Sequence, residues 1–472
     1  MNRVAFLLIF FLLLSCAPEP VRPLKVVPTA SQLAWHQMEM NAFVHFSINT
    51  FTDKEWGYGD ESPALFAPDS LNPDHWVKLF SETGFKSVIL TAKHHDGFCL
   101  WPSQFTEHSI KNSPVTADVV KGVSDACKKH GLNFGIYLSP WDRNHAEYGT
   151  PGYISYYRNQ LKELFSNYGP VFEMWFDGAN GGDGYYGGAR EMRKINGASY
   201  YDWPGTMDIV RSFNPGIIFF SDAGPGVRWV GNERGVAGET NWNTITPDTL
   251  YAGKAGVEPL LNSGHEKGSH WIPAETDVSI RPGWFYHASQ DSLVKTPEQL
   301  FRIYLTSVGR GSTLLLNIPP DKHGRIHPSD EASLRGFKKI LDRTFSRDHA
   351  ITAEITGKDR GSGYSVSKVT DNSFDTFWAT PDGETSSSIE LKWENPVDVS
   401  YLMMQEPVWL GQRVKAFRIE AEVKGKMEEI GTGTTIGYKR IIKVPSPVAT
   451  RLIRLTILDS KECVALSSFS VY

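Results

Sequence analysis

A chain of 472 residues exceeds what one ordinary core organises, so two domains are expected, the larger of them a barrel. The net charge is −5, with both signs interspersed and no basic stripe, which excludes a protein held to nucleic acid by phosphate contacts. Aromatic residues make up 12% and include 14 tryptophans, side chains that serve a core and also suit the apolar faces of sugar rings.

In chain order, Arg3 and the apolar run "VAFLLIFFLLL" read as an export signal too short for a comfortable membrane span. It ends in Leu-Leu-Ser-Cys, which resembles the bacterial lipoprotein cleavage box. That resemblance implies a lipidated Cys16 at the mature N-terminus and a place in the bacterial cell envelope, in the periplasm or on the outer membrane. A lipid there anchors the protein without spanning the bilayer. An ordinary secretory signal is the alternative. The Pro-rich "APEPVRPLKVVPTA", residues 17–30, reads as a tether.

An alternation of elements follows. "AFVHFSI" reads as a strand, and "PDHWVKLFSETG" as an amphipathic helix closing on Gly84. "SVILTAK" is the next strand, "TADVVKGVSDACKKHG" the next helix, "NFGIYLS" the third strand and "PGYISYYRNQLKELFSNYG" the third helix. "VFEMWFDG", "GTMDIVRSFNPG" and "GIIFFSD" continue the pattern. Strands apolar throughout, separated by helices, indicate a parallel sheet covered on its outer side. Residues 222–290 are irregular and rich in Gly, Trp and Glu; "PEQLFRIYLTSVGRG", "STLLLNIPP" and "SDEASLRGFKKILDRTF" then restore the order. The expectation is a (β/α)8-like barrel over residues 31–346 with a less regular second half. A doubly wound open sheet is the rival, but no G-x-G-x-x-G follows the first strand. Beyond about residue 350, "SSIELKW", "AFRIEAEV" and "RLIRLTIL" alternate with period two, the pattern of a β-sandwich over 350–472. After Cys16 three cysteines remain, Cys99, Cys127 and Cys463, with no C-x-x-C spacing, so neither a zinc cluster nor a full set of disulfides is expected.

In such a barrel, side chains at the C-terminal ends of the strands converge on one pocket. Those ends carry His45; His94, His95 and Asp96 of "TAKHHDGFCLWPS"; Tyr137 and Trp141; Trp175 and Asp177; and Asp222, with Glu55 and Trp56 soon after the first strand. The expected pocket is a polar cup with aromatic walls. Adjacent strand residues face opposite ways, so His94 and His95 reach one ion only if the strand has ended, and no H-x-H or H-E-x-x-H completes a metal site. No metal or other cofactor is expected. Asp177 closes an apolar strand in "MWFDGAN" and is the sharpest candidate for chemistry, with a helix cap as the plainer alternative. Glycosidic chemistry pairs two carboxyls. Glu233 and Glu239 of "VRWVGNERGVAGETNW" are both candidates for the second, and spacing does not choose between them.

"AFVHFSINTFTDKEWGYG", "TAKHHDGFCLWPS", "GIYLSPWD" and "MWFDGAN" together resemble the successive motifs of glycoside hydrolase family 29, the α-L-fucosidases, across most of residues 35–345. The resemblance implies a retaining, metal-free exo-α-L-fucosidase whose nucleophile is Asp177. It also implies a fucose-binding set of His45, Glu55, Trp56, His94, His95, Tyr137, Trp175 and Trp284, and a fucosylated oligosaccharide or glycoconjugate as substrate. "SDAGPGVRWVGNERG" resembles the subfamily that prefers α-1,3- and α-1,4-linked fucose, which would make Glu233 the acid/base. The C-terminal "DNSFDTFWAT" and "EPVWLGQRVKAFRIEAEV" resemble a discoidin-like sandwich, in which a packing role for Trp378 is favoured over a sugar-binding one. A carbohydrate-binding protein with a decayed site and a metal-dependent barrel hydrolase remain the alternatives.

Overall fold

The computed structural model describes residues 19–361 and 363–472; the export signal and Cys16 lie outside them. Eight strands close into a barrel: β1 (Met40–Val44), β2 (Ser87–Lys93), β3 (Asn133–Leu138), β4 (Glu173–Trp175), β5 (Ile218–Ser221), β6 (Val227–Trp229), β7 (Ala274–Ser279) and β8 (Thr313–Asn317). Every strand pairs in parallel with its neighbours in the sequence, and β8 returns to β1. An open doubly wound sheet is thereby excluded. Strands such as β2 are buried along their whole length, which is why they read as continuous apolar runs.

Nine helices accompany the described residues of this domain. α1 (Ala30–Met38) opens on a capping box between Thr29 and Gln32 and sends Trp35 and Met38 into the interior cluster of the barrel. α2 (Ile48–Thr52) and α3 (Pro73–Glu82) follow β1, and α4 (Val119–His130) follows β2. α4 is bounded as its sequence suggests: the Asp118 carboxylate accepts the Lys121 N–H, and Gly131 leaves the helix in the left-handed region. α5 (Pro151–Asn167) and α6 (Trp203–Phe213) follow β3 and β4; α7 (Glu258–Ser263), α8 (Pro297–Thr306) and α9 (Pro328–Thr344) complete the set. The second half is irregular where the sequence lost its pattern. β5 and β6 are joined by five residues without a helix, and a Cβ on Gly226 there would lie 2.7 Å from the Phe219 backbone, so only glycine lets the chain double back so closely.

Two expectations are corrected. The run "AFVHFSI" does not stay extended: β1 ends at Val44, and Ser47 accepts the Asn49 N–H to start α2, which frees His45 to turn over the barrel mouth. The Pro-rich stretch expected as a tether is, from residue 19 onward, fastened to the C-terminal domain. Val21 is buried against Leu410 and Cys463, the Leu24 N–H donates to the Leu410 carbonyl at 2.8 Å, and Arg413 donates to the Arg22 carbonyl.

The C-terminal domain is an antiparallel sandwich built on β9 (Glu354–Gly357), β10 (Ser387–Gln405), β11 (Val414–Val423), β12 (Lys426–Gly433), β13 (Arg440–Ser460) and β14 (Ser468–Val471), ordered β9-β10-β13-β11-β12 with β14 also on β10. Alternate residues of β10, β11 and β13 fill its core. Trp378 lies fully buried there with its indole N–H on the Lys358 carbonyl, a packing role. The junction with the barrel mixes apolar packing, as of Met403 and Ile441 on the barrel core, with polar contacts: Gln412 bonds both Asn241 and Asn243, and Glu239 pairs with Arg310 and Arg440. The three described cysteines are buried and unpaired.

Candidate active site

Period-two alternation decides what the barrel interior holds. On β1 the inward positions are Asn41, Phe43 and, past its end, His45; on β4 they are Glu173, Trp175 and then Asp177; on β7 they are Glu275, Asp277 and Ser279. The upper positions form the base and walls of a cup of about 420 Å³ at the C-terminal end of the barrel. Its lining includes His45, Trp56, His94, His95, Tyr137, Trp175, Asp177, Glu233 and Trp284. β2 has ended at Lys93, so both histidines of "TAKHHDGF" face the cup, with ring centroids 4.1 Å apart.

Asp177 sits at the centre of the polar contacts. The Tyr137 hydroxyl donates to its Oδ2 at 2.9 Å, the Ala179 N–H donates to its Oδ1 at 2.7 Å, and His95 Nε2 stands 3.8 Å from Oδ2. Burial, followed by the Asp177 charge, pushes the Tyr137 phenol well up, so it remains a donor. A Cβ on the glycine of W-F-D-G, Gly178, would lie 2.2 Å from Asp222 Oδ2, so a larger residue there would displace the Asp222 carboxyl.

The histidines are neutral. Burial holds His45 down to about 3, His94 well below its ordinary value and His95 to about 4, the last against the opposing pull of Asp177. Their hydrogen-bond partners also select tautomers. Asn317 spends its amide N–H groups on Ser279 Oγ and the Trp284 carbonyl, so its oxygen faces His45, whose Nδ1 donates at 2.8 Å. The Ser139 hydroxyl donates to the Trp141 carbonyl and therefore accepts from His95 Nδ1 at 2.7 Å. In both rings Nε2 is left as an acceptor, suited to a sugar hydroxyl.

Glu233 stands across the cup, and the Trp284 indole N–H donates to its Oε2 at 3.3 Å. Its pKa is raised, first by burial and further by the negative charges of Asp177 and Glu55, against the opposing pull of the indole. Glu239 does not reach the cup; it is the clamp between the domains described above. Asp222, half-buried beside Asp177 with Oδ2 accepting the Gly253 N–H, is pushed up to about 6 by loss of solvent, with the Gly253 bond opposing and Asp177 adding to the effect.

Some candidates stand elsewhere. Glu55 is not on the cup wall: its carboxylate receives the backbone N–H groups of Trp284 and Phe285 and contacts His287 Nε2 at 2.6 Å, so it fastens the loop that presents Trp284. Asp96 turns under the site and takes the Ser47 hydroxyl, the Asn49 amide and the Phe98 N–H. Trp141 stands behind Trp56, edge-on to it, and donates to Tyr186 of the segment that follows Asp177, where Gly181–Gly184 and Glu191–Lys194 pair as a hairpin. Sequence reasoning missed Phe43, Trp229 and Asp277, all of which line the cup. Asp277 takes the Trp229 indole N–H at 2.9 Å, and burial raises its pKa well above the usual range. Counting inward positions two residues apart along β1 and β7 would have found Phe43 and Asp277.

Comparison with known proteins follows the same division of the chain. The α-L-fucosidase family model matches residues 24–344, and the F5/8 type C domain model matches residues 350–468. α-L-fucosidase 1 of Arabidopsis thaliana is 37% identical over 471 residues, spanning 98% of this chain and 89% of the plant protein. A glycoside hydrolase 29 family member from an unknown rumen bacterium superposes with a TM-score of 0.85 at 43% identity, covering 95% of this chain and 78% of that one. A GH29 fucosidase of Ruminococcus gnavus, solved in complex with fucose, superposes with a TM-score of 0.86 at 30% identity over 97% of each chain.

Proposed function

This chain belongs to the α-L-fucosidase family and is a glycoside hydrolase of that type, and from that premise we propose that it releases terminal α-1,3/1,4-linked L-fucose by double displacement at the cup. The observation that carries the reading is one cup holding two carboxyls in unlike surroundings. Asp177 accepts from a phenol and a backbone N–H, whereas Glu233 accepts only the Trp284 indole N–H, and its pKa is raised by loss of solvent and by the negative charges of Asp177 and Glu55. Asp177 attacks the anomeric carbon while Glu233 protonates the departing glycosidic oxygen. Glu233, now ionised, then takes a proton from water, which displaces Asp177 and restores both residues with the anomeric configuration retained.

The cup suits a deoxy sugar that enters as a terminal residue. The Nε2 acceptors of His45 and His95 and the Tyr137 hydroxyl can meet ring hydroxyls, while Phe43, Trp175 and Trp284 offer apolar surface to a methyl group and ring face. The fucose bound by the R. gnavus relative supports the same ligand here. The α-1,3/1,4 preference rests on the "WVGNE" segment that carries Glu233. Branched trisaccharides with α-1,3- or α-1,4-fucose are expected to turn over with kcat/KM at least about tenfold above α-1,2-fucosides, a difference of one or two contacts beyond the cup. Equal kcat/KM for the two linkage classes would remove the preference.

The leader and its Leu-Leu-Ser-Cys ending support a lipid-anchored envelope enzyme. Cys16→Ser should move the protein from the membrane fraction to the soluble one without changing its kinetics on a small fucoside. Continued membrane association of that variant would count against the anchor.

A further inference from the structure

Beneath the cup the barrel holds a second polar layer that the chemistry above does not use. Glu173, two residues before Trp175 on β4, and Glu275, two residues before Asp277 on β7, both point into the barrel at exposures of 1% and 0%. Among the described residues no cationic side chain meets either carboxyl. What surrounds them is uncharged: Asn41 from β1, Trp35 from α1 and the Trp175 indole from β4, with Asp277 one layer up as the nearest other titratable group. The Trp175 indole N–H donates to Glu275 Oε1 at 3.0 Å. Glu275 Oε2, both oxygens of Glu173, the Trp35 indole N–H and both amide atoms of Asn41 close no well-formed hydrogen bond with the protein.

Two buried carboxylates without a counter-ion are not both charged; the cost of desolvation and mutual repulsion is met by keeping a proton. We propose that Glu173 and Glu275 hold a proton between them, and that the pair positions Trp175, and through it the floor of the sugar cup, from below. Trp175 is the link. Its ring lies flat on Phe220 at 3.9 Å, it lines the cup, and it precedes Asp177 by two residues. Its only polar handle is the indole N–H on Glu275. Burial raises both carboxyls, Glu275 to about 7 and Glu173 further; the Glu275 charge adds to the rise of Glu173, whereas the Trp175 indole and Glu173 itself oppose that of Glu275, in keeping with a pair that stays at least singly protonated. The sign for stability follows from that direction. The folded chain binds more protons than the unfolded one once pH exceeds the ordinary carboxyl range, so the pair's contribution is most favourable below about 4.5 and declines as pH rises to about 7 and beyond.

This inference rests on the cup being the fucosyl site, and its test separates the two. Glu275→Leu removes the acceptor for Trp175, Glu275→Gln keeps one and removes the charge, and each is compared with the wild-type chain in kinetics on an aryl α-L-fucoside and in Tm at pH 5 and pH 8. Glu275→Leu should raise KM about tenfold with kcat changed far less, the mark of lost ground-state positioning, and Glu275→Gln should largely restore KM. Glu275→Gln should also gain Tm relative to the wild-type chain between pH 5 and pH 8. A wild-type KM for Glu275→Leu overturns the positioning role. A Tm difference between Glu275→Gln and wild type that is the same at both pH values overturns the shared proton, and that measurement stands even if Glu275→Leu does not fold. If the wild-type chain hydrolyses no α-L-fucoside, the functional reading fails while the melting comparison still decides the pair.

Discussion

Asp177→Ala should reduce turnover of every fucoside by at least about 10⁴-fold, because without the carboxylate no fucosyl–enzyme ester forms and the retained machinery only binds. The fold should survive. Asp177 lies past the end of β4, and its removal leaves the Tyr137 hydroxyl without its partner, a loss on the order of 1 kcal/mol. Added azide is small enough to occupy the space of the missing side chain. It should restore activity on an aryl fucoside and yield a fucosyl azide of inverted configuration, which NMR distinguishes from the retained product of the wild-type enzyme. Wild-type kinetics in Asp177→Ala, with the substitution confirmed by mass, would falsify the assignment of the nucleophile.

Glu233→Ala should divide substrates by their leaving groups. A natural glycoside departs as a poor alkoxide and needs its oxygen protonated, so kcat/KM should fall about 10²- to 10⁴-fold, the range for one general acid. An aryl fucoside with an acidic phenol leaves unaided, and its kcat/KM, which reports the first step alone, should stay near that of the wild-type enzyme. The pH profile gives a second readout. Burial, reinforced by the charges on Asp177 and Glu55, raises the pKa of Glu233, so wild-type kcat/KM on glycans should decline as pH rises through that raised value. In the alanine variant that alkaline limb should be lost with the activated substrate. Glu239→Ala is the contrasting substitution. It frees Arg310 and Arg440 at the domain junction and should lower thermal stability with no dependence on the leaving group. If the leaving-group signature appears in Glu239→Ala and not in Glu233→Ala, the roles are reversed.

The role of Glu55 was legible only in outline. Its place soon after β1 and its motif pointed to the sugar, and it does act near the cup, but through the backbone of the Trp284 loop, more than two hundred residues away. Its carboxylate could have pointed into the cup equally well on the evidence of residues 48–57. The loop at 283–287, carrying two free N–H groups and His287, is what draws it aside. Asp96 behaves alike. A carboxylate beside two site histidines looked like chemistry, and three donors from Ser47, Asn49 and Phe98 make it a structural turn.

What the sequence determined by itself was the barrel, the sandwich and the strand-end residues His45, His94, His95, Tyr137, Trp175 and Asp177. These are local consequences of geometry: a buried parallel strand must be apolar on both faces, its side chains alternate with period two, and whatever polar group follows its last residue stands at the barrel mouth. What only the tertiary structure decided was every choice among residues on irregular chain. Glu233 and Glu239 lie six residues apart on a segment with no periodicity, and their destinations depend on Trp284 in one case and on Arg310 and Arg440 in the other. The buried pair Glu173 and Glu275 was hidden for a related reason. Glu173 is the one acid of a short apolar strand and Glu275 lies about a hundred residues on in the polar β7, and only barrel closure brings β4 and β7 face to face, where two charges must settle for one proton.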